Sequence, residues 1–208
     1  MIQIPSKKVE RVVEAFSRLP GIGRKTALRL ALHILSQDEI DADFLGNSII
    51  SMKRDTKTCT ICHNISDSET CDICANPLRN KGILCIVEDV RDFLAIENTG
   101  QFTGRYHILG GIISPMDGIG PNDLHIDNIE HRIKQEEISE IILALPTTIE
   151  GDTTCYYIYK KLSHTNVKIT TIARGVAIGD ELEYTDEITL GRSIIYRHIY
   201  DGSSKRSS

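Results

Sequence analysis

The sequence predicts an α/β protein: a helical hairpin region, a small cysteine-held module, a mostly parallel sheet with flanking helices, and a C-terminal segment. Three observations predict it. Between Ser6 and Leu19 the apolar residues Val9, Val12, Val13, Phe16 and Leu19 recur at three- and four-residue steps, the period of a helix with one buried face. Four cysteines then fall within sixteen residues, Cys59 to Cys74, in a stretch without periodicity. From Gly82 onward, unbroken apolar runs such as Ile83-Leu84-Cys85-Ile86-Val87 alternate with helical patterns, as in a parallel sheet buried on both faces.

Taken in order, Ser6 after Pro5 starts the first helix, and Leu19-Pro20-Gly21-Ile22-Gly23 ends it. A second periodic run, Ala27, Leu30, Ala31 and Ile34, follows at once, so the two helices form a hairpin. Residues 40–52 read as a third, weaker helix and 53–80 as an irregular module. The sheet then opens with a strand at 83–87. A helix at 90–98, a short strand at 106–109 and a turn-rich loop at 110–123 follow, then a helix at 126–137 and a strand at 140–145. A helix at 153–163 and a strand at 168–172 complete the alternation, and 201–208 reads as a polar, disordered tail.

Composition excludes several classes. With 40% hydrophobic and 25% charged residues the chain is neither collagen-like nor of low complexity. No run reaches the roughly 18 apolar residues of a membrane span, and the opening residues lack the apolar core of a secretory signal, so the expected address is the cytoplasm and no membrane partner is expected. A net charge of −5 offers no bulk attraction to nucleic acid, yet the charge is segregated. Residues 1–35 hold Lys7, Lys8, Arg11, Arg18, Arg24, Lys25 and Arg29 against Glu10 and Glu14, a net +5 that leaves −10 for the rest.

Cys59-x-x-Cys62 and, after eight intervening residues, Cys71-x-x-Cys74 form two knuckles of matching spacing. Four thiolates at about 2.3 Å around Zn2+ make a closed tetrahedral site, so the expected metal is structural and offers no open position for catalysis. Cys59-Thr-Ile-Cys62-His63 also spells a haem attachment pattern, but that chemistry needs export and leaves Cys71 and Cys74 unused. His63 is then a bystander. Clustering of this kind in a reducing compartment argues metal before disulfide.

The turn Leu19-Pro-Gly-Ile-Gly-Arg-Lys-Thr-Ala27 lies inside the basic segment. A helix that starts after it directs free backbone N–H groups outward, and such groups bind phosphate without reading sequence. Gly21 and Gly23 admit close approach, while Arg24 and Lys25 add charges that release counterions from DNA.

These residues resemble a helix-hairpin-helix element. Together with the four-cysteine finger and the later segments ILCIVEDVRDFLAIENTG, YHILGGIISPMDGIGPNDL, IILALPTTIEGDTT and ARGVAIGDELEYTDEITLGR, they resemble the RecR family of bacterial recombination mediators over nearly the whole chain. The resemblance implies a helix-hairpin-helix region at 1–52, a four-cysteine zinc finger at 53–80, a Toprim domain at 81–175, and a C-terminal oligomerisation segment at 176–208. It implies no catalytic turnover, a ring of several copies, commonly four, wide enough for duplex DNA, and association with the nucleoid. It also implies work with RecO, and with RecF where present, to load RecA onto single-stranded DNA covered by single-strand binding protein.

In Toprim domains a carboxylate at a strand end and a pair in a later strand–helix loop can hold Mg2+ against a phosphodiester. The matching positions are Glu88, after the strand at 83–87, and Glu150 with Asp152, after the strand at 140–145. Catalytic Toprim families carry Asp-x-Asp where this chain has Glu150-Gly-Asp152, which points away from strand cleavage and toward an acidic partner surface of weak Mg2+ affinity. A Mg2+-dependent nuclease or strand transferase using the same three carboxylates is the rival. Tyr156, Tyr157 and Tyr159 are expected to pack rather than react. The stretch from Leu109 to Pro121 matches neither a phosphate-binding lysine loop nor a dinucleotide fingerprint, and Pro115 and Pro121 favour a fixed loop. Arg174-Gly175 and the segment from Tyr184 to Tyr196 have no chemistry of their own in the sequence.

Overall fold

The computed structural model describes residues 4–199, and the tail read at 201–208 lies outside them. Among the described residues the chain divides into two compact units, residues 4–58 with 66–68 and residues 59–65 with 69–199.

The first unit is helical. Helix α1 (Lys7–Ser17) begins where Ser6 Oγ accepts from Val9 N at 3.4 Å, and α2 (Arg24–Leu35) begins at Gly23. They pack through Val13, Ala27 and Ala31, small enough for close approach, with Val9, Phe16, Ile22 and Leu28 around them. Helix α3 (Glu39–Asp55) runs three residues beyond the expected end, its last turn carrying Lys53 and Arg54, whose charges suit a helix C-terminus. Ile40, Phe44, Ile49, Ile50 and Met52 on α3 are exposed.

The second unit opens with the finger. Strands β1 (Lys57–Thr58), which ends the first unit, and β2 (Ile65–Ser66) flank the first knuckle along the chain, and α4 (Asp72–Ala75) carries Cys74. Strand β3 (Asn80–Val87) starts the main sheet, followed by α5 (Val90–Glu97), β4 (Gly104–Ile108), α6 (Asn128–Glu136), β5 (Glu140–Ala144), α7 (Ile149–Leu162), β6 (Lys168–Thr171) and α8 (Glu187–Ile195). The sheet order is β4-β3-β5-β6 and every pairing is parallel, with Cys85 opposite both Tyr106 and Ile142.

Both faces of the sheet are covered, which is why β3 reads as an unbroken apolar run. Leu84 and Ile86 point into a core with Leu109, Ile129, Ile141 and Ile158, while Cys85 and Val87 join Phe93, Tyr106 and Ile108 on the other side. The loop after β4 holds two single-turn 3-10 segments, Pro115–Asp117 and Pro121–Asp123, each opened by its proline.

Two expectations are corrected. Helix α7 starts at Ile149, four residues before the expected 153, because Thr148 Oγ1 accepts from Gly151 N at 3.1 Å and caps it. Gly151 is required there, since a Cβ would stand 2.0 Å from Pro146 O. Tyr156 and Tyr159, 61% and 52% exposed, do not pack, nor is Tyr157 buried, because the buried stripe of α7 runs through Gly151, Thr154, Ile158 and Leu162.

Candidate nucleic-acid interface and metal centre

The four cysteine sulfurs lie within 4.8 Å of one another, all four residues buried. The two knuckles close in the same way: His63 N donates to Cys59 O and Ala75 N to Cys71 O, both at 2.9 Å. Cys71 N donates to Cys59 Sγ at 3.3 Å, and Cys62 and Cys71 sulfurs stand 3.5 Å apart. Tetrahedral thiolates at about 2.3 Å from zinc would be about 3.8 Å apart, so the donor set and its spacing fit Zn2+.

His63 lies outside the sulfur cluster. In a left-handed conformation at φ 64, it stacks its ring on His125 at 3.9 Å and meets His107 edge-on at 5.2 Å. This histidine set escapes sequence reasoning, because its members are separated in the chain and have no ligand spacing. His107 is fully buried; Nε2 donates to His125 O, and Nδ1 accepts from Arg132 Nη1 at 3.2 Å. Burial, foremost, pushes His107 down to about 3, and it is neutral at physiological pH.

In the helical unit, Gly21 has φ +76, a conformation that favours glycine, and makes the turn between α1 and α2. Gly23 is different. Its φ of −80 suits any residue, and a Cβ there would meet nothing within 4 Å, so the protein itself does not demand glycine at this position. The first intrahelical bond of α2 is Ala27 N to Gly23 O at 2.9 Å, which leaves the amides of Arg24, Lys25 and Thr26 at the open helix end. Arg24 and Lys25 are exposed, and Arg24 touches Glu10 at 3.5 Å. Arg11, Arg18 and Arg29 are exposed in the same unit.

The acidic positions share one end of the sheet. Glu88 follows β3 directly, and Val87 pairs with Ala144, so Glu88 and the chain leading to Glu150 leave the same end of adjacent strands. Glu150 and Asp152 stand on the first turn of α7 rather than in a loop, where the helix dipole favours carboxylates. Burial, then the charges of Asp92 and Asp89, raise the Glu88 carboxyl. Asp152 Oδ1 accepts from Arg174 Nη2 at 2.7 Å, so a cation there must compete with a guanidinium. Among the described residues these carboxylates do not form a metal-ligand group of the kind the cysteines form. Arg174, without evident chemistry in the sequence, lines a cleft of about 540 Å³ with Asp152, Cys155, Arg192, Tyr196 and His198.

Comparison with known proteins matches four consecutive family models: the RecR helix-hairpin-helix at residues 9–53, the RecR four-cysteine zinc finger domain at 56–76, a Toprim domain at 82–173 and the RecR C-terminal region at 175–198. Recombination protein RecR of Bacteroides thetaiotaomicron is 57% identical over 201 residues, 97% of this chain and 98% of the relative. Its counterpart in Porphyromonas gingivalis is 53% identical over 206 residues, covering 99% and 100%. That of Flavobacterium johnsoniae is 50% identical over 206 residues, with the same coverage.

Proposed function

Because the chain belongs to the RecR family of recombination proteins, we propose that its part in recombinational repair is that of a DNA clamp without catalytic turnover. The observation that carries this is Gly23. A glycine with ordinary backbone angles and open space around it, at the free end of α2 beside Arg24 and Lys25, leaves room for a phosphate to approach the amides directly. Binding of this kind contacts the backbone and is independent of base sequence.

The clamp is a ring of copies, commonly four, joined through the helical region and the C-terminal segment. The exposed apolar residues of α3 and the exposed Ile194 and Ile195 of α8 support such self-association, since faces of this kind are seldom left to water. Several hairpins turned inward raise one another's effective concentration on DNA. Zinc holds the finger, and the acidic end of the sheet, Glu88, Glu150 and Asp152, is a surface for RecO and, where present, RecF. The complex then loads RecA onto single-stranded DNA covered by single-strand binding protein in the cytoplasm, at the nucleoid.

RecA loading on coated single strands tests the whole reading. With RecO present, the wild-type chain accelerates loading, Arg24→Ala with Lys25→Ala abolishes the acceleration, and Glu150→Lys abolishes it by losing RecO binding. Unchanged RecO binding in Glu150→Lys would remove the acidic surface from the mechanism, and acceleration by the double variant would remove the hairpin.

A further inference from the structure

The open edge of the sheet and the two cysteine knuckles meet along one strand. β4 stands at the edge of the sheet and is buried along its whole length. Ile108 N donates to Cys62 O at 2.8 Å, holding the last cysteine of the first knuckle. Arg105 Nη2 donates to Cys74 O at 3.1 Å, holding the last cysteine of the second. The finger thus covers an edge-strand amide, that of Ile108, which would otherwise lie unpaired.

Arg105 is an unusual residue for such a strand. Its side chain is 10% exposed, Nη1 donates to Glu136 Oε2 at 2.8 Å, and its Nε is buried without a hydrogen-bond partner among the described residues. Arg132, 5% exposed, donates Nε to the other oxygen of the same carboxylate at 2.8 Å and Nη1 to Tyr106 O at 2.9 Å. Two guanidiniums therefore share one carboxylate beside the finger. Arginine stays protonated, and a buried surplus charge is costly unless an opposite charge is near. His107 supplies none, because its bonds to His125 O and Arg132 are those of a neutral ring. Four thiolates around one Zn2+ carry a net charge of −2.

We propose that Arg105, backed by Arg132, is the positioning and charge-compensating residue of the zinc site, so that the edge strand of the sheet both fixes the second knuckle and, with a net +1 from two guanidiniums and one carboxylate, offsets part of the −2 charge of the zinc tetrathiolate. The inference rests on zinc occupying the four cysteines. It makes zinc affinity depend on an ion-pair network outside the finger, which a finger folding alone would not show.

Equilibrium competition between the full-length protein and a chromophoric chelator for Zn2+ tests this, with Co2+ absorption as an independent probe of thiolate coordination. Arg105→Gln is expected to weaken zinc binding about 10- to 100-fold, as loss of an outer-shell partner does. Glu136→Gln removes the screening carboxylate and leaves both guanidiniums, so it lowers the thermal midpoint while zinc affinity holds or rises. Arg79→Gln breaks a half-buried pair with Glu97 that has no bond to either knuckle, and it lowers the midpoint without moving zinc affinity. The proposal is overturned if folded Arg105→Gln binds zinc as the wild type does, or if affinity falls in step with the midpoint across all three variants. Should Arg105→Gln fail to fold, Glu136→Gln decides: a lowered midpoint with zinc affinity held or raised supports the proposal, a joint fall overturns it. Failure of the zinc premise is separately visible as a wild-type protein without one bound equivalent.

Discussion

Replacing Arg24 and Lys25 by alanine removes two full charges from the end of α2 while leaving its backbone amides in place. Both side chains are exposed and neither packs in the core of Val13, Ala27 and Ala31, so folding is expected to survive. Each phosphate contact to duplex DNA contributes about 0.9 to the slope of log affinity against log salt, so the double variant flattens that slope by about 1.8 for each hairpin engaged. Between 50 and 200 mM salt, the wild-type advantage over the variant then shrinks by about tenfold. Glu10 refines the expectation. It meets Arg24 at 3.5 Å with both side chains more than 40% exposed, a pair worth at most about 1 kcal/mol, so Glu10→Gln frees Arg24 and strengthens binding by no more than about fivefold. Fluorescence anisotropy with labelled duplexes of unrelated sequence across a salt series reads all of this. An unchanged slope, or a loss confined to one sequence, would refute phosphate contact by these residues.

The remaining expectations concern the scaffold. Cys71→Ser removes one of four buried ligands, and elemental analysis should find zinc lost together with a lowered thermal midpoint; full stability without metal would contradict a structural site. Thr148→Ala deletes the cap of α7 and should cost about 1 kcal/mol in denaturant unfolding, with an unchanged midpoint arguing against the cap. His107 binds its proton near pH 6.5 when unfolded but only near 3 when folded. Its contribution to stability is therefore complete above about pH 6.5 and declines by up to about 1.4 kcal/mol per pH unit as the pH falls below it. Unfolding in excess zinc between pH 7 and 5.5 measures that slope, which should diminish in His107→Gln.

The sheet was legible because β3 and β5 are apolar on both faces, a pattern that a two-layer arrangement would not produce. The hairpin was legible from the step of Val9, Val13 and Phe16 and from the glycines after Leu19. The start of α7 was not, because Thr147-Thr148 before a glycine reads as loop until the Gly151 amide is seen on Thr148 Oγ1. That shift alone moves Glu150 and Asp152 from a loop onto a helix end. The Arg105–Glu136 pair was illegible for another reason: its partners lie 31 residues apart, and nothing in a linear pattern distinguishes a buried arginine on an edge strand from an exposed one. Arg174 on Asp152 and the stack of His63 on His125 likewise exist only once β6 and the finger are placed.

Whether this chain holds DNA or cuts it is settled by one incubation with gapped circular DNA and Mg2+, followed by a native gel and by deproteinised DNA checked for breaks. A clamp shifts the circle and leaves every strand intact. New breaks that vanish in Glu150→Gln would instead make the acidic end of the sheet a nuclease site.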